Sequence, residues 1–333
     1  MSPPLILLGV SRSGTTLLRV LLDRSPGIAI PDESFFVPLL ARRHPGRVDS
    51  ARFLEDLSRI PVLGEWGLGP ADVAPRVRSG MSSGQAIAAI FESYAARRGK
   101  PRWGDKTPLY MRHLRLLDRL FPDAQYVHVI RDGRDAAVSF LQMPEGTFTR
   151  TWAHPRSAAE FACLWRTEVS DARELGRRVG ASRYLEARYE ELVAAPKAAL
   201  DAICRFADIA FEPAMLEYAS AVDVSAKPHQ QRLLLPPTRG VRNWRSEMRA
   251  DDARGFESIA GDLLAELGYE LLDPSARPGI RARMARARYR MTLGAWNAAV
   301  YATQRTPLWR RRHPPLVTTP ASSPGRGSRG AAR

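Results

Sequence analysis

The sequence predicts an α/β fold, a three-layer sandwich in which helices flank a central parallel sheet. Two observations carry that prediction. Short apolar runs alternate with segments of helical periodicity along residues 5–267, the pattern of strands joined by crossover helices. Two of those runs, LILL at 5–8 and AQYVHVIR at 124–131, also lead directly into polar, glycine-containing turns that open a helix. Both turns should therefore face one crevice beyond the carboxyl edge of the sheet, where such folds bind ligands.

Leu5–Leu8 is short, apolar and bounded by Gly9, so it reads as a buried strand, with Thr15–Asp23 as the following helix. Residues 34–43 and 84–98 read as helices and 102–104 as a short strand. Residues 107–122 read as one helix, with Leu109, Leu114, Leu117 and Phe121 near helical spacing, Thr107 as N-cap and Pro108 in the first helical position. A buried strand at 124–131 is followed by a helix from Asp135, a long helix over 157–178, a strand at 183–188, and helices near 196–207 and 250–267. At 333 residues the chain suits one large α/β unit with appendages.

Composition narrows the classes of function. No apolar run approaches the length of a membrane span, and MSPPLILLG has neither the basic start nor the long apolar stretch of a secretory signal. Cys163 and Cys204 lie far apart without metal-ligand spacing and read as buried small hydrophobes in a reducing compartment. The expected location is cytoplasmic. The formal net charge is +15, but thirteen arginines and no acidic residue follow Asp273. The basicity belongs to the tail, so it does not make the body a nucleic-acid binder.

The turn GVSRSGTT at 9–16 almost fits the phosphate loop of nucleotide hydrolases, G-x-x-x-x-G-K-[ST]. Gly9 and Gly14 have the spacing, and Thr16 stands where a magnesium-binding hydroxyl would be, but Thr15 replaces the lysine and Arg12 lies inside the loop. Unpaired N–H groups at a helix start, the helix dipole, and the hydroxyls of Ser13, Thr15 and Thr16 suit a phosphate or phosphosulfate. A triphosphate hydrolase would also need a carboxylate-held magnesium. Here the second strand runs into Arg131 instead of an aspartate. The chemistry indicated is transfer from a less highly charged donor, with arginine and lysine in place of a metal.

GVSRSGTTLLRVLLDRSP resembles the 5′-phosphosulfate loop of the sulfotransferases that use 3′-phosphoadenosine 5′-phosphosulfate (PAPS), in the form found in protein-tyrosine sulfotransferases and related bacterial enzymes. VIRDGRDAAVSF at 129–140 resembles their 3′-phosphate motif, whose arginine and serine are Arg131 and Ser139. The likeness covers roughly 4–270. It implies a P-loop-type sandwich and an enzyme that moves a sulfuryl group from PAPS to a hydroxyl acceptor by in-line displacement, releasing PAP, without a metal.

The likeness also implies roles for individual residues. Glu33, in IPDESFF, falls where the tyrosine-sulfotransferase-like members keep their catalytic base, with Asp32 adjacent. A nearby carboxylate suits the removal of a hydroxyl proton. Lys106, in RWGDKTPLY, matches a lysine on the transferring group; the chain has only four lysines, so choosing one here is unusual. Arg12, Ser13, Gly14, Thr15 and Thr16 would hold the 5′ end, and Arg131 and Ser139 the 3′-phosphate. A salt bridge from Arg131 to Asp135, or from Arg134 to Asp132, is the purely structural alternative. Tyr189, in RYEEL, matches the tyrosine at the adenine end. TRGVRNWRSEM at 238–248 resembles the segment that closes over the donor, but Asn243 replaces its lysine. Arg239 or Arg242 would then supply the charge, and Trp244 reads as a packing residue.

The expected organisation is a sulfotransferase domain over 1–273, a basic helical extension over 274–313 and a disordered tail over 314–333. On a helical wheel, Ile280, Met284, Ala287 and Met291 form one narrow stripe, edged by Arg281 and Arg288 on one side and Arg283 and Arg290 on the other. Such a helix either lies on an anionic membrane surface, at the inner face of the membrane, or packs on the body with its arginines solvated. The sequence leaves both open, as it leaves the oligomeric state, a homodimer included. The acceptor is also open: small molecule, sugar, lipid or peptide. Two rival functions are a P-loop kinase or nucleotide hydrolase, disfavoured by the missing lysine and metal aspartate, and an inactive nucleotide-binding protein with a membrane-associating tail. The joint presence of Arg12, Glu33 and Lys106 argues against the second.

Overall fold

A computed structural model describes residues 2–143, 154–217, 243–274 and 279–305. Among these, four strands form one parallel sheet in the order β2-β1-β3-β4. The strands are β1 (Leu5–Leu8), β2 (Gly104–Lys106), β3 (Gln125–Ile130) and β4 (Tyr184–Arg188). The helices in chain order are α1 (Thr15–Asp23), α2 (Val37–Arg43), α3 (Ser50–Leu57), α4 (Pro61–Glu65), α5 (Pro70–Val73), α6 (Ser83–Arg97) and α7 (Leu114–Leu120). They continue with α8 (Gly133–Leu141), α9 (Ala158–Val179), α10 (Tyr189–Ala194), α11 (Pro196–Ala207), α12 (Trp244–Glu247), α13 (Ala250–Glu266) and α14 (Ile280–Arg305).

The apolar runs of β1 and β3 are continuous because both faces of the sheet are covered. Successive side chains alternate between faces. Leu5, Leu7, Val127 and Val129 pack with Leu18, Leu21 and Leu22 of α1 and with Leu200 and Ile203 of α11. Ile6, Leu8, Tyr126 and Ile130 join the larger core on the opposite face, with Phe36, Phe91, Phe161, Trp165 and Phe256. The layered α/β architecture is the one the strand–helix alternation predicts.

Two local expectations are corrected. The strand placed at 102–104 lies at Gly104–Lys106, paired with Leu5–Leu7 of β1, so Lys106 ends a strand. The single helix over 107–122 is split into a 3-10 turn at Pro108–Arg112 and α7, with a break at His113. Thr107 takes the N-cap position of the 3-10 turn, but its side chain makes no capping bond. Its hydroxyl instead accepts the Ser34 N–H at 3.0 Å and donates to Asp105 at 3.2 Å.

Those bonds belong to a buried clasp. Ser34 Oγ donates to Asp105 Oδ1 at 2.7 Å and lies 2.7 Å from the Tyr110 hydroxyl. The Val37 N–H also donates to that hydroxyl, at 3.1 Å. Ser34, Asp105, Thr107 and Tyr110 are all buried. The clasp ties the 31–36 segment, between α1 and α2, to the end of β2. The tight turn carries Tyr110 inward to complete it, which explains why helical spacing loses to tertiary bonding at 107–113.

Burial lifts the Asp105 carboxyl from the ordinary 3.8 to about 7, although bonds from Ser34 and Thr107 and the Lys106 charge oppose the rise. Its Oδ2 has no hydrogen-bond partner among the described residues. From about pH 4 to pH 7 the unfolded chain ionises this group while the folded chain keeps it protonated. Its contribution to stability is therefore full below about pH 4 and lost as pH rises to about 7. In urea titrations, Asp105→Asn should flatten the pH dependence over that window, by up to a few kcal/mol between its ends; an unchanged slope would mean Asp105 is ionised in the folded protein. A second outcome concerns the start of α8. A Cβ at Gly133 would stand 2.6 Å from both Phe256 and the fully buried Trp165 ring. Gly133→Ala should cost about 1–3 kcal/mol, read by the same titration.

Candidate active site

The loop after β1 turns through two left-handed residues, Arg12 at φ 74° and Gly14 at φ 91°. That conformation is uncommon for a residue with a side chain; the Ser13 N–H between them closes the turn by donating to the Val10 carbonyl at 3.0 Å. At Gly14, a Cβ would also run into the Tyr189 ring, so glycine is needed there twice over. The helix that follows, α1, starts with buried Thr15. Ser13 is buried and its hydroxyl has no hydrogen-bond partner among the described residues. A buried hydroxyl in that position is costly unless something accepts from it.

The turn after β3 comes to the same place because β1 and β3 are adjacent and parallel. Arg12 Nε donates to Ser139 Oγ on α8 at 3.0 Å, and Arg131 donates to the Arg12 carbonyl at 3.1 Å. The Arg131 guanidinium lies 4.5 Å over the Tyr189 ring, and its Nε is buried without a partner among the described residues. Arg12, Arg131, Ser139 and Tyr189, distant in sequence, thus form one wall. The Ser13 hydroxyl and Arg131 Nε are buried donors without an acceptor among the described residues. A donor molecule carrying phosphates on both its 5′ and 3′ positions fits that pair.

Both structural alternatives for the second motif are present as well. Arg131 reaches Asp135 only at 4.0 Å, a weak pairing that leaves its Nε unused. Arg134 is the structural arginine: fully buried, it bonds Asp132 at 2.7 Å and Glu257 at 2.5 Å, and lies 3.9 Å over Trp244. The Asp132 N–H in turn donates to Glu190 at 2.9 Å. Trp244 N–H donates to Asp135 at 2.8 Å, whose carboxyl burial raises to about 6. Trp244 is a packing residue, and Asn243 caps α12 through its side chain. Arg239 and Arg242 lie outside the described residues.

The third group comes from the clasped segments. Lys106 Nζ donates to Glu33 at 2.5 Å and to Thr16 Oγ1 at 3.2 Å. Lys106 is buried, while the Glu33 side chain keeps 28% of its surface exposed. The ammonium therefore bridges the phosphate-type loop and the carboxylate. Asp32, the competitor for the base, points elsewhere and pairs with Arg19 at 3.1 Å. Ser34 and Asp105, each the immediate neighbour of a bridging residue, hold Glu33 and Lys106 in register. Sequence reasoning missed both. The available signal was a carboxylate, Asp105, in a strand whose neighbours are all buried.

Comparisons with known proteins identify the family. Residues 3–213 match the Sulfotransferase family. The nodulation protein NoeE of Sinorhizobium fredii is 31% identical over 88% of this chain and 73% of its own length. Protein-tyrosine sulfotransferase A of Caenorhabditis elegans is 26% identical over 83% of this chain and 69% of its own. The sulfotransferase domain of the Synechococcus PCC 7002 olefin synthase superposes with a TM-score of 0.52 at 26% identity, over 81% of this chain and 97% of that domain. The chain therefore belongs to the sulfotransferase family, enzymes that take a sulfuryl group from PAPS.

Proposed function

We propose that Glu33 is the general base of a sulfuryl transfer from PAPS to a hydroxyl acceptor, with Lys106 and Arg12 stabilising the charge that moves. The observation that carries this reading is the position of Lys106, within hydrogen-bond reach of both Glu33 and the hydroxyl of Thr16 in the first turn of α1. One short cation links the place where a proton must be taken to the place where a phosphate must be held.

PAPS supplies a sulfuryl group on a phosphate leaving group. The protein's part is proton handling, charge stabilisation and alignment. As the acceptor oxygen bonds to sulfur and the sulfur–phosphate oxygen bond breaks, the Glu33 carboxylate takes the hydroxyl proton. The Lys106 ammonium and the Arg12 guanidinium meet the negative charge passing to the leaving oxygen. Arg12 is held for this by Ser139. The N–H groups at the start of α1, with the hydroxyls of Ser13, Thr15 and Thr16, cradle the 5′ end. Arg131 and Ser139 take the 3′-phosphate, since a planar guanidinium bonds phosphate oxygens in pairs. Tyr189, between the two motifs, takes the adenine side. The acceptor is a hydroxyl-bearing molecule that reaches Glu33 from its exposed side. The cytoplasm is the location that fits two free, buried cysteines.

Glu33→Ala should slow labelled-sulfate transfer by about 10²–10⁴-fold while PAP binding, measured by calorimetry, stays within a few-fold. Loss of PAP binding in a folded variant would make Glu33 a binding residue instead. Arg131→Ala should weaken PAP binding by about ten- to a hundredfold but leave AMP, which lacks the 3′-phosphate, little changed. An equal loss for both nucleotides would remove Arg131 from the 3′ site.

A further inference from the structure

Helix α14 has two faces that do different things. Ala282, Tyr289 and Leu293 are buried and belong to the main core, beside α9 and α13. Arg286, on the same side, bonds the Ile259 carbonyl and approaches Asp262. The helix is thus docked on the body through this face. At 100° per residue, the stripe of Ile280, Met284, Ala287 and Met291 points about 180° away. It is exposed: Ile280 at 69%, Met284 at 65% and Met291 at 71%. Among the described residues the one other exposed large apolar side chain is Leu272, at 45%. The helix therefore packs on the body, as one sequence reading has it, and still leaves outward the apolar stripe on which the other reading rests.

We infer that this outward face is a docking surface for an anionic lipid membrane, with Ile280, Met284 and Met291 entering the headgroup boundary and the flanking arginines meeting lipid phosphates. Arg281, Arg283 and Arg288 are exposed and make no salt bridge among the described residues. No acidic residue occurs after Asp273 to neutralise them. An apolar stripe between two arginine rows matches a surface that is apolar a few ångströms beneath a negative layer, and the long side chains can extend to that layer from either side. A nucleic acid would answer the arginines but offer nothing to an isoleucine and two methionines. A second copy of this chain would bring its own arginine rows against these. Because the buried face already anchors α14, the surface is available in the folded enzyme and needs no unfolding of the helix. The inference is independent of the sulfuryl-transfer reading.

The test is co-flotation of the full-length protein with vesicles of phosphatidylcholine alone or with about a third phosphatidylglycerol, at low and physiological salt. Binding to the anionic vesicles alone is expected. Ile280→Ser, Met284→Ser and Met291→Ser combined should lower it at least tenfold. Arg281→Gln, Arg283→Gln and Arg288→Gln combined should lower it about a hundredfold. PAP binding should stay unchanged in both variants, which separates loss of the surface from loss of the fold or of the donor site. Equal flotation of the serine variant, or no flotation of the wild-type chain, overturns the proposal. So does a concentration-dependent dimer, seen by light scattering, that the serine variant abolishes, which would make the stripe a self-association face. Binding of single-stranded RNA that outlasts the serine changes, without vesicle binding, would also overturn it.

Discussion

The arrangement of the site depends on one charged contact, the Lys106 ammonium between Glu33 and Thr16. A buried ammonium is expensive to keep unless it is paired and hydrogen-bonded. Here its two partners come from different segments, the first turn of α1 and the segment ahead of α2. The ammonium therefore fixes the distance between them. It reaches both because β2 is an edge strand beside β1 and ends with Lys106. The clasp of Ser34, Asp105, Thr107 and Tyr110 lies directly behind. It lets the exposed carboxylate of Glu33 stand on a rigid, buried base rather than on a free loop.

A second constraint organises the other half of the crevice. Arg134 carries its charge into the core, where Asp132 and Glu257 neutralise it and Trp244 covers it. The neighbouring Arg131 is free of that duty, its nearest carboxylate being 4.0 Å away. Two arginines three residues apart thus have opposite functions: one is consumed by structure and one retains an unused donor. Salt-bridge pattern alone could not separate them. Burial and the number of partners do.

Much of the site was legible in the chain because its chemistry is local. Gly14, Ser13 and Thr16 follow an apolar strand at fixed spacing, and a strand–loop–helix unit presents N–H groups wherever it occurs. Arg131 and Ser139 lie on one strand end and the next helix. The residues that were not legible act across long separations. Ser34 meets Asp105 and Tyr110 more than seventy positions away, and no periodicity marks such a pair. The same reason explains the misread stretch at 107–122. Helical spacing was present, but Thr107 and Tyr110 were claimed by partners in a distant segment.

By itself the sequence determined the layered α/β fold, the two phosphate-type turns at one sheet edge and the arginine-only tail, since each follows from order and type of residue along a short window. Tertiary structure decided which of Asp32 and Glu33 faces the crevice: Arg19 takes the first and Lys106 the second. It decided which arginine of the second motif is structural. It also decided how α14 divides its faces, with Tyr289 and Leu293 inward and Ile280, Met284 and Met291 outward. A helical wheel shows that two faces exist. Only the position of α9 and α13 says which one is already covered.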